Sequence, residues 1–271
     1  MRGAPSIAGH LFYNSDMSGF NFDQGKALLS ASFEFLLQQL RENPPSSLAI
    51  QSVPCRENLP GFEEENSQPL IEGVEPRVWI GNQVTVAAHH DPVENIACVT
   101  AGRRRFTLLP PDQIGNLYLG PFELTPAGTP ISLVDFDAPD FARFPRFRAA
   151  LDAAYEADLG PGDAIYIPYM WWHHVRSLER FNMLVNYWWA PPTHGRGAPR
   201  EAFLHALLSV KELQPTHREA WRALFEHYVF KANGEPSAHL PPERTGILGK
   251  LTPDAIRALR ASIARALAPK K

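Results

Sequence analysis

Hydrophobic positions along the chain change period twice, and the changes mark three zones. In residues 76–190 apolar residues come in short runs broken by Gly and Pro, the pattern of strands. Residues 77–88 form a run rich in Val and Ile. Residues 95–100 and 104–109 flank Ala101-Gly102, and the second run stops at Pro110-Pro111, which predicts a hairpin. Residues 163–167, after the turn Gly160-Pro161-Gly162, and 181–189 predict two more strands. The insert 113–158 carries turn residues and one expected helix at 147–157. The first zone mixes short elements. Leu28, Leu29, Phe33, Leu36, Leu37 and Leu40 predict a helix over 27–41, ahead of Pro44-Pro45, and 47–53 reads as a strand stopped by Pro54. The last zone has helical spacing at 200–213 and 216–230, separated by Pro215. A third helix is expected at 251–267, with Thr252 as N-cap and Pro253 in the first turn. The tail 269–271 is expected to fray. The division is therefore a β-rich domain with its N-terminal elements, 1–190, and a helical segment, 191–271.

Composition narrows the function classes. The 271 residues carry 44% hydrophobic and 20% charged side chains, ordinary values for a globular protein with a sizeable core. The net charge of −3 supplies no basic field that would draw the molecule to nucleic acid. The two cysteines, Cys55 and Cys98, read as free thiols, since a chain of this size needs no disulfide. No apolar run is long enough for a membrane span, and the N-terminus lacks a signal pattern, so a cytoplasmic location is expected. The 26 prolines suit short strands and turns.

The chemistry starts at His89-His90-Asp91, at the end of a predicted strand. Residues i and i+2 of a strand share a face, so His89 and Asp91 can point together while His90 points away. A second strand-rich stretch runs into Trp171-Trp172-His173-His174 and can supply another histidine, which of the two being open on geometry alone. Two imidazoles and a carboxylate on one side of a metal form the facial triad of non-haem iron(II) oxygenases, which leaves positions open for cosubstrate and O₂. Such an enzyme needs a cosubstrate on two of those positions, and 2-oxoglutarate requires a cation for its far carboxylate. Arg104 shares a face with Phe106 and Leu108. An inward cation there needs an anion, and a guanidinium fits a carboxylate through two hydrogen bonds. Asn95 and Asn186 are polar positions inside apolar strands and need polar partners if buried.

These residues sit in longer motifs: the His-x-Asp at 89–91, GRRRFTLLPPDQ over 102–113, VDFDAPDFARFP over 134–145, GPGDAIYIP over 160–168, WWHH over 171–174 and VNYW over 185–188. Together they resemble the JmjC/cupin-8 family. The set is similar to the asparaginyl hydroxylase that acts on hypoxia-inducible factor and to bacterial cupin-like proteins, in order from residue 11 to 189. The resemblance implies a mainly β fold, a double-stranded β-helix (jelly roll) with a flanking N-terminal helix and a C-terminal helical segment. It implies Fe(II), with 2-oxoglutarate as cosubstrate. It places the metal ligands at His89, Asp91 and His173, the cosubstrate-binding cation at Arg104, and pocket amides at Asn95, Asn186 and Gln51. It also places Tyr13, in Leu-Phe-Tyr-Asn, at the substrate entrance together with Trp188. Arg104 stands where the family has lysine, Val86 where it has threonine and Ala49 where it has tyrosine. In the related hydroxylase terminal helices make a homodimer, and here Phe203, Leu204, Leu207, Leu208, Trp221, Leu224, Phe225 and Tyr228 form a large apolar helical surface that would serve a homodimer, the alternative being that it packs against the barrel.

The expected activity is hydroxylation of a C–H bond by a dioxygenase, on a peptide or protein side chain or a small molecule, with Trp171, Trp172 and Trp188 walling the metal from water. Two other readings compete. Non-oxygenase cupin metalloenzymes often use an extra His or Glu ligand, for which Glu94, expected in a turn, is the nearby choice. A catalytically silent JmjC-like binding module fits the loss of the threonine and tyrosine hydroxyls.

Overall fold

A computed structural model describes residues 1–190 and 192–268; the tail expected to fray lies outside them. The first of two compact units, Met1–Ala190, contains twelve strands: β1 Arg2–Gly3, β2 His10–Leu11, β3 Phe22–Asp23, β4 Ser47–Pro54, β5 Pro76–Gly81, β6 Thr85–His89, β7 Glu94–Ala101, β8 Arg104–Leu109, β9 Tyr155–Leu159, β10 Ala164–Ile167, β11 Trp172–Ser177 and β12 Asn182–Trp189. They form a seven-stranded sheet, β10-β7-β12-β5-β4-β1-β3, and a five-stranded sheet, β2-β6-β11-β8-β9. Among these strands all pairs are antiparallel except β2 with β6. This is the jelly-roll arrangement of the expected cupin fold. Helices α1 Leu29–Gln39, α2 Cys55–Asn58, α3 Phe62–Glu65 and α4 Phe147–Asp152 flank it.

Three apolar layers, beside a smaller cluster of Leu11, Phe22, Ala49 and Val84, hold the unit together. Between the sheets, Ala97, Val99, Ile167 and Leu184 from one meet Phe106, Leu108 and Val175 from the other. On the outer face of the larger sheet, Leu36 of α1 packs with Val78, Ile80, Val185 and Tyr187. The apolar stripe that predicts the helix thus exists to cover a sheet. Burying Leu36, at 1% exposure, contributes about 2–3 kcal/mol. On the outer face of the smaller sheet, Leu117, Val134, Phe144 and Phe147 of the insert close over Leu109 and Trp172.

Three local expectations fail. The apolar run 77–88 is two strands, because Gly81 brings the backbone against Leu48, where a Cβ would lie 2.5 Å from the carbonyl oxygen. Asn82 holds that corner, accepting from Leu48 N at 2.9 Å and donating to Ser46 O at 2.8 Å. The runs 95–100 and 104–109 are strands but no hairpin: β7 pairs with β10 and β12, β8 with β11 and β9. Gly102, at φ +72°, turns the chain from one sheet to the other, with no space for a side chain against Phe181 and Asn182. The expected helix at 147–157 ends at Asp152, and Tyr155–Leu159 becomes an edge strand paired with β8. Here sheet completion overrides helical spacing.

The second unit, Pro191–Lys271, holds α5 Pro199–Ser209, α6 Pro215–Tyr228 and α7 Pro253–Leu267. Thr252 caps α7 as expected, its Oγ1 accepting from Ala255 N at 3.2 Å. Cys55 and Cys98 are free thiols. Among the described residues no helix is long and apolar enough to cross a membrane.

Candidate metal centre

Strands β6 and β11 are neighbours in the smaller sheet, and their register sets His89 directly opposite His173. The two rings face each other with centroids 4.2 Å apart. Asp91 lies two residues beyond His89, and its Oδ2 is 3.5 Å from His173 Nε2. One ligand-type atom from each of the three falls within 4.8 Å of the others. Met170 N donates to Asp91 O at 3.1 Å, tying the turn after β6 to the approach to β11. The backbone also orients both imidazoles. His89 Nδ1 is 3.0 Å from Ala87 O and His173 Nδ1 is 3.1 Å from Trp171 O. Donation from Nδ1 leaves each Nε2 lone pair for a metal.

The electrostatics suit a cation. Burial, then the neighbouring His173, push the His89 imidazole down to about 4, so it is neutral and able to ligate. Burial works to raise Asp91, yet the His173 hydrogen bond and the histidine charges bring it below the usual carboxylate range. Two imidazoles and one carboxylate form a donor set that fits a divalent transition metal with open positions.

The three side chains line one cavity of about 290 Å³, together with Gln51, Trp79, Val86, Asn95, Phe106, Arg104, Asn186 and Trp188. Arg104 is 7% exposed. Its Nη2 donates only a long bond of 3.4 Å to Trp79 O, and its Nε has no partner. Burial alone pushes the guanidinium down to about 10. Among the described residues no carboxylate pairs with it. A buried cation with an orphaned donor calls for an anion. Asn186 and Asn95 are buried, and their amides have the polar partners that burial requires. Asn186 accepts from Trp79 Nε1 at 2.8 Å and donates to Asn95 Oδ1 at 3.2 Å. Trp79 is the residue sequence reasoning missed; its only signal is a large aromatic facing inward from β5.

Other expected residues are placed differently. Tyr13 does not line the cavity. It is 4% exposed, and its hydroxyl donates to Leu124 O at 2.8 Å, so it anchors the loop whose Pro126 and Ala127 do line it. Trp188 lines the cavity, but Trp172 lies on the opposite face, edge-on to His90 at 4.6 Å. Glu94 opens strand β7 instead of sitting in a turn. Its Oε2 accepts from Tyr166 Oη at 2.5 Å and Tyr169 N at 2.9 Å, and it stays outside the ligand cluster. Val86 lines the cavity and Ala49 does not.

Residues 1–195 match the model of the cupin-like domain. The chain belongs to the cupin-like domain family. Several of its relatives carry JmjC or Jumonji C names, as the sequence motifs imply. This cupin-like domain is 34% identical over 112 residues to lysine-specific demethylase JMJ31 of Arabidopsis thaliana, covering 41% of this chain and 20% of that protein. It is 32% identical over 129 residues to JmjC domain-containing protein F of Dictyostelium discoideum, covering 43% and 27%. It is 36% identical over 101 residues to tRNA wybutosine-synthesizing protein 5 of Gallus gallus, covering 37% and 29%. The chain spans less than a third of the length of these curated relatives. Among solved structures it is similar to the ribosomal oxygenase YcfD of Escherichia coli, at 17% identity and a TM-score of 0.35, covering 82% of this chain and 47% of that one.

Proposed function

We propose that this cupin-like domain is an Fe(II)- and 2-oxoglutarate-dependent dioxygenase that hydroxylates a C–H bond of a peptide or protein side chain. The observation that carries the reading is one cavity joining the His89–Asp91–His173 cluster to the buried, unpaired guanidinium of Arg104. When bound, iron(II) with 2-oxoglutarate supplies the oxygen-activating chemistry. His89 and His173 hold the metal through Nε2, and Asp91 adds the third bond and a negative charge. Arg104 takes the far carboxylate of the cosubstrate, and the Trp79–Asn186–Asn95 chain fixes the polar side of the pocket. Phe106, Val86 and Trp188 keep the remaining wall apolar and exclude water. The demethylase names among the relatives support a protein-directed substrate, while the tRNA-modifying relative makes RNA the class to test beside it. Glu94, held by two tyrosines, gives the non-oxygenase reading no fourth ligand.

The test is succinate formation from 2-oxoglutarate by the full chain supplied with iron(II), preceded by an anaerobic titration. Charge-transfer absorption on adding 2-oxoglutarate and slow succinate release are expected. Absence of both would leave a silent binding module, the reading that Val86 in the cavity wall favours. We further propose a homodimer through the C-terminal helices, since Trp221, Leu224, Phe225 and Tyr228 of α6 remain exposed. Light scattering should give twice 30.3 kDa, and Trp221→Glu with Leu224→Glu should give the monomer.

A further inference from the structure

The smaller sheet carries a second cavity, of about 240 Å³, lined by His10, Thr85, Asp135, Phe136 and His174 among others. His10 lies on β2, and Asp135 and Asp137 lie on the insert. One ligand-type atom each from His10, Asp135 and Asp137 falls within 4.8 Å of the others. His10 Nε2 is 4.0 Å from Asp137 Oδ2. The two carboxylates each have one oxygen engaged. Asp135 Oδ1 accepts from Asp137 N at 2.9 Å and Ala138 N at 3.4 Å. Asp137 Oδ1 accepts from Arg176 Nη1 at 2.7 Å. Among the described residues the second oxygen of each makes no hydrogen bond.

An independent feature points to a ligand here. His174 is 5% exposed, stacks on Phe136 with centroids 4.5 Å apart and lines this cavity. Among the described residues neither of its ring nitrogens has a hydrogen-bond partner, and neither is fully sealed from solvent. A buried imidazole without a partner costs free energy unless something polar enters the space it faces. We propose that the rim of this cavity is a second metal site, in which His10 and Asp135 of its lining, with the exposed Asp137 beside them, bind a divalent transition-metal ion, while His174 lines the same cavity from the sheet. Mixed imidazole and carboxylate donors suit zinc, manganese or cobalt, where an all-oxygen shell would suit magnesium or calcium. Arg176 competes with the ion for Asp137. The site shares no ligand with the first, and it stands whether or not the first binds iron.

The experiment titrates the full chain, stripped of metal, with cobalt(II) alone, read by calorimetric stoichiometry and visible absorption. In the His89→Ala/Asp91→Ala background one equivalent should still bind. Adding Asp135→Asn and Asp137→Asn should abolish it; Asn can keep the turn made by Asp135 Oδ1, and a melting curve within the range of the parent verifies folding. His10→Gln, which leaves that turn untouched, should weaken the same equivalent at least ten-fold. Arg176→Gln, which frees Asp137, should tighten it about ten-fold. No cobalt bound in the first background, binding indifferent to the Asn pair or to His10→Gln, or an unchanged or weaker site in Arg176→Gln would each overturn the proposal.

Discussion

The two faces of the five-stranded sheet carry the same residue types and put them to different uses. Three adjacent pairs make the comparison: His89 with His90, Arg104 with Arg105, and His173 with His174. The first of each pair lines the inner cavity. The second faces outward, His90 against Trp172, Arg105 in an ion pair with Asp158 at 2.7 Å, and His174 against Phe136. The inner histidines are oriented by backbone carbonyls toward Asp91, and the inner arginine is buried with an orphaned Nε. The outer arginine is satisfied by a neighbour in solvent. Side-chain identity therefore says little about role in this sheet; the face decides.

The largest effect that would sharpen this comparison is at the histidines. His89→Ala should weaken iron(II) binding by at least about 100-fold, whereas His90→Ala should leave it within a few-fold. Equal losses in a competition assay would break the assignment of faces. Next comes Arg104→Met. It should weaken 2-oxoglutarate binding about 100-fold, because a buried charge pair is lost. The same change should stabilise the unliganded chain by about 1–4 kcal/mol in chemical denaturation, because a buried cation without a counter-charge is removed. Lower stability in that variant would mean that Arg104 is satisfied in the free protein after all.

A smaller effect is expected from Trp79→Phe, which deletes the donor to Asn186 Oδ1. A loss of about 1 kcal/mol, or roughly five-fold in cosubstrate affinity, follows from one buried hydrogen bond. Smallest is Arg105→Gln on the outer face. Cosubstrate affinity should not change, and stability at neutral pH should fall only slightly. The Arg105 hydrogen bond holds the Asp158 carboxyl below its ordinary value. The contribution of this pair is therefore present above the usual carboxylate range and fades as pH falls through the lowered value. Acid unfolding curves of the variant should be slightly shallower there. A steeper curve would show that the pair does not act this way.

How much of this was legible in the chain depends on how local each feature is. The alternation that separates His89 from His90 and turns Arg104 inward is a property of one strand, and the sequence carries it. The stripe on α1 and the Thr252 cap are equally local. The hairpin expected around Gly102 was not legible, since the same Gly can reverse a strand onto its neighbour or pass it to the other sheet. Which happens depends on β9, β10, β11 and β12, fifty or more residues away. Tyr13 was beyond reach for the same reason: its partner, Leu124, is 111 residues distant. So the sequence by itself determined the set of ligand-type residues and the side of the strand on which each stands. Only the tertiary structure decided what each would face: that His89 and His173 meet across β6 and β11, that Arg104 is left without a counter-charge, and that the outer histidine, His174, opens on a second cavity. Periodicity fixes the direction of a side chain, while its partners come from strands that pairing brings together from far along the chain.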